Sequence, residues 1–339
     1  MLKTYRHTGD FRLESGAVLH GLEIAYHTYG TYDPEADNAV WVCHALTANS
    51  DVADWWPGTV VDGGFLDPAR HFTVCANIIG SCYGSTGPTS IDPATGEPYY
   101  DTFPPLTIRD MARAHALLAD HLGLNHIGTL VGSSVGGFQA LEWITGEPER
   151  FGRLVLIATD AKASPWCIAV DETQRMAIFA DATYGERRPD AGAAGLEAAR
   201  AIGLLTYRGP EGYNRTQQNP PSDSAEPVRS HRACSYQRYQ GTKLSRRFNA
   251  YSYVTILDAF DTHDVGRGRG GLRAALGRLC CPAIVVGIST DIVFTPPEMR
   301  ALAAMLPEAE YHEIESAFGH DGFLVEHDQL NRILKNFMK

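Results

Sequence analysis

Residues 132–136 read Gly132-Ser133-Ser134-Val135-Gly136, a G-x-S-x-G pattern centred on Ser134. A short apolar run precedes it, and an amphipathic run containing Phe138, Leu141, Glu142 and Ile144 follows. At such a strand-to-helix turn a serine sits in strained backbone, and small residues two before and two after it let the chain pack closely. The start of the following helix also turns free N–H groups toward developing negative charge. Centring the pattern on Ser133 would put Val131 and Val135 where glycines belong, so Ser134 is the expected nucleophile. The plain alternative is a Gly/Ser-rich turn that binds phosphate.

A serine hydroxyl needs a base, and the base needs an acid to orient it. After a G-x-S-x-G turn these partners follow in the order Ser, Asp/Glu, His, each on a loop beyond a later strand. "VVGISTDIVFTPP" places Asp291 just past an apolar run, and "EYHEIESAFGHDGFLVEH" places His320 in a glycine-flanked turn before the last helix. Other histidines lack that placement: His312 falls within a strand, His327 on a helix, and His115 on an apolar helix stripe. Negative charge on an acyl oxygen needs two backbone donors, and losing one costs about 3–4 kcal/mol. Those donors are expected from Val135, directly after the nucleophile, and from Leu46 in the loop "CHALTANS". His44 raises a metal or base reading, but a strand-end residue shaping this loop is the better one. No metal is expected.

The elements that must position these groups are legible as alternating patterns. "HGLEIAYHTYG" alternates Leu22, Ile24 and Tyr26, the period of a half-buried antiparallel strand. The short Val/Ile-rich runs 39–46, 72–80, 126–132, 153–158 and 282–289 suit strands buried on both faces of a parallel sheet. Between them, "TIRDMARAHALLADHLG" sets Ile108, Met111, Ala112, His115, Leu118 and Leu122 on one stripe, with Gly123 as the stop. "DQLNRILKNFMK" repeats that pattern at the C-terminal end. Strand–helix alternation of this kind means an α/β protein with a mostly parallel sheet. It breaks between about Ser164 and Gly271, where "DETQRMAIFA", "GLEAARAIGLLTY" and "FNAYSYVTILDAF" read as helices. The expected organisation is a core of residues 1–163 and 272–339 with a helical lid inserted at 164–271. Within the lid, 212–228 is Pro/Ser-rich and reads as a mobile loop, and "GRGRGG" (266–271) as a hinge.

Composition bounds the function. The 339 residues carry a formal charge of −11, which argues against broad contact with nucleic acid or anionic membrane while leaving room for small anions at a local basic site. No stretch approaches the roughly 20 consecutive apolar residues of a membrane span, and the first residues lack a signal-peptide core, so a cytoplasmic location is expected. The seven cysteines form no CxxC pair and read as reduced, mostly buried thiols.

Several longer blocks are more specific than the pentapeptide: "HALTANS", "GSCYGSTGPTSIDPATGEPYYDTFPPLTIRDM", "GSSVGGFQALEW", "ASPWCIAVDETQRMAI", "SYQRYQG", "ISTDIVFTP" and "GHDGFLVE". Through them, from about residue 20 to 330, the chain resembles the homoserine O-acyltransferase family of the α/β-hydrolase superfamily, best known for homoserine O-acetyltransferase. The resemblance implies an α/β-hydrolase fold and ping-pong transfer of an acetyl group from acetyl-CoA to L-homoserine through an acyl-serine, a step of methionine biosynthesis. It puts the triad on Ser134, Asp291 and His320. It also implies substrate contacts by Thr47, by Arg200 with Tyr207 in a lid helix, and by Asp321 next to His320. A carboxylate would suit Arg200 and an α-ammonium Asp321. It further implies acyl-CoA as co-substrate with no bound cofactor, and a homodimer through lid helices. The sequence departs from the family pattern at Ala48, Ser133 and Val135, all expected beside the acyl pocket. Succinyl in place of acetyl, serine in place of homoserine, and plain ester hydrolysis by the same triad stay open here; serine and homoserine differ by one methylene, worth only about 1–3 kcal/mol in a pocket.

Overall fold

The computed structural model describes residues 1–220, 227 and 229–338. Among them the strands are β1 (Lys3–Arg6), β2 (Phe11–Arg12), β3 (Val18–Leu19), β4 (Glu23–Tyr29), β5 (Ala39–Cys43), β6 (Phe72–Ala76), β7 (Thr129–Ser133), β8 (Leu154–Ile157), β9 (Ala283–Ile288) and β10 (Ala309–Ile314). The α-helices are α1 (Val52–Trp55), α2 (Ile108–His121), α3 (Val135–Gly146), α4 (Pro165–Phe179), α5 (Ala193–Tyr207), α6 (Pro210–Thr216), α7 (Arg232–Ser245), α8 (Ala250–Asp261), α9 (Leu272–Leu276), α10 (Pro296–Ala303), α11 (Gly322–Val325) and α12 (His327–Phe337).

The Val/Ile-rich runs become the middle of one large sheet. β5, β7, β8 and β9 are buried at every position. That is what strands covered on both faces require, and why they show no polar alternation. The sheet order is β1-β4-β6-β5-β7-β8-β9-β10, parallel from β6 to β10 and antiparallel where β4 meets β1 and β6. The pleat sends alternate residues to opposite layers. Along β5, Trp41 and Cys43 enter the apolar layer that holds Phe138 and Leu141 of α3. Val40 and Val42 enter the layer closed by Leu330 and Leu334 of α12. This is the α/β-hydrolase sheet expected from the sequence.

Local signals set the helix ends. Thr107 and Asp110 form a reciprocal capping box at the start of α2, each side chain accepting from the other's backbone N–H. Gly123, at φ +72°, follows its C-cap Leu122. His115 on the inner stripe of α2 is a core residue, bonded to Gln139 at 2.8 Å.

Between β8 and β9 the chain leaves the sheet for α4–α9. Within this segment α5 packs against both α4 and α7, and α8 against α4. The three expected helices are present as α4, α5 and α8, joined by α6 and α7. Two expectations need correction. The loop read at 212–228 is helical at its start, since α6 runs to Thr216; residues 221–226 and 228 lie outside the described residues. The "GRGRGG" segment is pinned rather than a free hinge: Arg267 pairs with Glu14 at 2.7 Å and Arg269 with the buried Glu142 at 2.7 Å. All seven cysteines are free thiols, but only Cys43, Cys75 and Cys167 are buried, fewer than the composition suggested. Among the described residues no helix is long and apolar enough to cross a membrane.

Candidate active site

β7 ends at Ser133, and the chain turns through Ser134 into α3 without a loop. Ser134 holds φ 55° and ψ −129°, a conformation that costs a non-glycine residue about 1–3 kcal/mol. The glycines around it are there for space. A Cβ on Gly132 would lie 2.5 Å from the Gly136 carbonyl oxygen, and one on Gly136 would lie 2.0 Å from the Cys43 carbonyl oxygen. Two bonds lock the turn from the β8 side: the Ser134 N–H donates to the Ile157 carbonyl at 3.0 Å, and the Thr159 hydroxyl donates to the Ser134 carbonyl at 2.7 Å. Thr159 was not found from the sequence, because a threonine two residues past a strand carries no pattern of its own.

The loops after β9 and β10 bring two more side chains to Ser134. His320 Nε2 lies 2.9 Å from Ser134 Oγ, and His320 Nδ1 lies 2.8 Å from Asp291 Oδ2. Asp291 is held in turn: its Oδ1 accepts from the N–H groups of Val293 at 2.7 Å and Phe294 at 3.2 Å. Asp291 and His320 are both buried. Burial works against a charged imidazole, but the charge and hydrogen bond of Asp291 and the charge of Asp321 outweigh it, so the His320 pKa is raised above 6.5. The sequence separations are 186 and 29 residues, so only the sheet topology makes this constellation. Its geometry can move a proton from the serine hydroxyl to the imidazole and hold the resulting imidazolium.

The loop after β5 faces Ser134 from the other side. His44 shapes it, as expected. Its Nε2 accepts from the Ile78 N–H at 3.1 Å and its Nδ1 donates to the Ala45 carbonyl at 2.8 Å. Burial lowers the His44 pKa to about 4, so the ring is neutral and both nitrogens are occupied. The next turn, closed by an Ala48 N–H bond to the Ala45 carbonyl, carries Leu46 and Thr47 on the wall of the cavity. Opposite, Val135 opens α3, whose first amides have no partner within the helix.

A cavity of about 510 Å³ opens over Ser134 between these loops and helices α4, α5, α7 and α8. Arg200, Tyr207 and Asp321 line it together with Thr47 and His320. The Arg200 guanidinium lies 5.5 Å from the centre of the Tyr207 ring, which itself lies 6.0 Å from that of His320. Among the described residues no carboxylate lies within 4 Å of Arg200. Asp321 is already half engaged: its Oδ2 accepts from Arg208 Nε at 2.8 Å, leaving Oδ1 for another donor. Arg208 was missed because it lies just past the end of α5, outside any helical period. A second missed group is Asp171 of α4, also on the cavity wall. Burial, together with the nearby Asp261 charge, pushes its carboxyl well above the usual range despite Arg175. Of the three departures expected beside the acyl pocket, only Ala48 lines the cavity. Ser133 and Val135 are corrections: both are buried and neither lines the cavity, and Val135 packs in the apolar layer with Phe138 and Leu141.

The comparisons agree with this geometry. Residues 38–327 match the family model described as alpha/beta hydrolase fold. Homoserine O-acetyltransferase of Cyclobacterium marinum is 46% identical over 325 residues, spanning 96% of this chain and 92% of that one. Homoserine O-acetyltransferase of Thermus thermophilus is 43% identical, over 97% and 89% of the two chains. Among solved structures, homoserine O-acetyltransferase from Bacillus anthracis superimposes with a TM-score of 0.91 at 22% identity, covering 100% of this chain and 97% of that one. Structural likeness at that identity speaks to the fold, whereas near-full-length identity above 40% speaks to the family, so this chain is a member of the homoserine O-acetyltransferase family within the α/β-hydrolase fold.

Proposed function

We propose that the chain moves the acetyl group of acetyl-CoA to the side-chain hydroxyl of L-homoserine through an acetyl-Ser134 intermediate. His320 takes the Ser134 proton as Oγ attacks the thioester carbonyl, and returns it to the departing sulfur as the C–S bond breaks. It then takes the hydroxyl proton of homoserine as that oxygen attacks the acetyl-serine, and gives it back to Ser134 Oγ. Asp291 orients the ring and stabilises the imidazolium. The amides of Leu46 and Val135 receive the oxyanion in both halves. Arg200 grips the acceptor's carboxylate, with Tyr207 beneath its guanidinium, and Asp321 Oδ1 accepts from the ammonium. Thr47 contacts substrate from the β5 loop.

Residues 164–271 act as the lid over the core, and a dry, lidded site lets a bound alcohol outcompete water. The observation that carries this reading is one cavity lined by Ser134 and His320, the latter bonded behind to Asp291, together with an ion-pair-free arginine, Arg200, and the carboxylate of Asp321. The names of the relatives supply the acceptor and the acetyl group. The acyl enzyme is testable by mass spectrometry after brief exposure to mixed acetyl-CoA and succinyl-CoA. The expected adduct is acetyl on Ser134; succinyl on Ser134, or acetyl elsewhere, overturns the assignment.

A further inference from the structure

We propose that Lys243 and Arg247 are the site that receives the phosphates of a coenzyme A donor at the mouth of the Ser134 cavity. The proposal rests on the acyl-CoA reading above and adds to it the residues that recognise the nucleotide end. Both side chains line the cavity, four residues apart, one in the last turn of α7 and one just beyond it. Both are exposed, whereas the third cationic residue of the wall, Arg200, is only partly so. The cavity's positive charges therefore divide into one set deep and two at the rim.

Neither rim charge is neutralised. Arg247 Nη1 donates to the Thr47 carbonyl at 2.6 Å and also bonds the Tyr83 hydroxyl, so its guanidinium is fixed by two uncharged acceptors. Among the described residues no carboxylate comes within 4 Å of either head group. Of the three acidic side chains that line the same cavity, Asp171 is buried and Asp321 partly so; Asp54 alone is exposed as the two rim cations are. Two exposed cations beside one exposed carboxylate make this rim locally basic on a chain whose formal charge is −11. A cation in a last helical turn also interacts with the helix dipole. That interaction alone does not account for an arginine tied across to the β5 loop beside it. The ligand chemistry follows from the site's depth. A thioester must reach Ser134 at the base, so the phosphorylated nucleotide at its other end stays at the rim, where an ammonium and a guanidinium suit phosphate oxygens.

Steady-state kinetics with two acetyl donors tests this: acetyl-CoA, and the acetyl thioester of N-acetylcysteamine, which has the same reacting end and no phosphate. In Lys243→Glu, the ratio of kcat/KM for acetyl-CoA to that for the truncated thioester is expected to fall by about tenfold or more, with the loss in KM for acetyl-CoA. Lys243→Arg should restore most of the ratio. Added salt should raise KM for acetyl-CoA in the unmodified protein and less in the variant. An unchanged ratio, whether both donors lose equally or neither does, overturns the proposal. Absence of acetyl transfer from either donor to homoserine in the unmodified protein would instead overturn the acyl-transfer reading on which it rests.

Discussion

At the scale of single residues, the chemistry depends on three side chains that the chain order already paired. Ser134→Ala should lower acetyl transfer by about 10⁴-fold or more, read as thiol release from acetyl-CoA, because the covalent route is lost. The raised His320 pKa sets the pH profile. The base is the neutral imidazole, so kcat/KM should rise with pH through a midpoint above 6.5. Asp291→Asn removes the charge that holds this pKa up, so the midpoint should move to lower pH while the rate falls by about 10⁴-fold. A midpoint that stays put would mean Asp291 does not set the ionisation of His320. These three residues were legible because each sits at a position with a local signature: a G-x-S-x-G turn, or a loop directly after an apolar run. Arg208 and Asp171 were not. Their importance comes from neighbours over a hundred residues away, Asp321 for one, or from burial against Asp261, and neither leaves a trace in local sequence.

At the scale of elements, β7, the Ser134 turn and α3 act as one rigid piece wedged against β5. Gly136→Ala places a methyl group on the Cys43 carbonyl, a backbone atom that cannot step aside, and should cost about 3 kcal/mol or more in thermal or denaturant unfolding. Gly146→Ala, at the other end of the same helix, meets nothing within 4 Å and should leave stability unchanged or slightly raised. Equal effects at the two positions would contradict the close-packing account of the turn. Strands β5 to β9 and helices α2 and α12 were legible because burial on two faces, or on one stripe, leaves a strong hydrophobic pattern. α7 was not, because only Gly241 and Leu244 among its residues are buried and the rest is polar or half-covered. A helix that contributes a rim rather than a core has no period to read.

At the scale of the whole molecule, the helices inserted between β8 and β9 present Trp166, Met176 and Phe179 of α4, Leu205 of α5 and Tyr239 of α7 to the surface as exposed large apolar side chains. With the homodimer through lid helices as the expectation, Met176→Asp should shift the mass in light scattering from two chains toward one; an unchanged mass would place any dimer contact elsewhere. The proposed function requires the cavity over Ser134 to direct an acetyl group to an amino-acid hydroxyl rather than to water. Solved structures with this fold include both homoserine O-acetyltransferases and esterase E22, which superimposes with a TM-score of 0.90, so the fold alone does not decide between the two outcomes. The direct measurement is thiol release from acetyl-CoA with and without L-homoserine, with the products counted by mass. Acetyl transfer is expected to give slow release alone, strong stimulation by homoserine, and one O-acetylhomoserine for each thiol freed. Equal rates with and without homoserine, with acetate as the product, would contradict it.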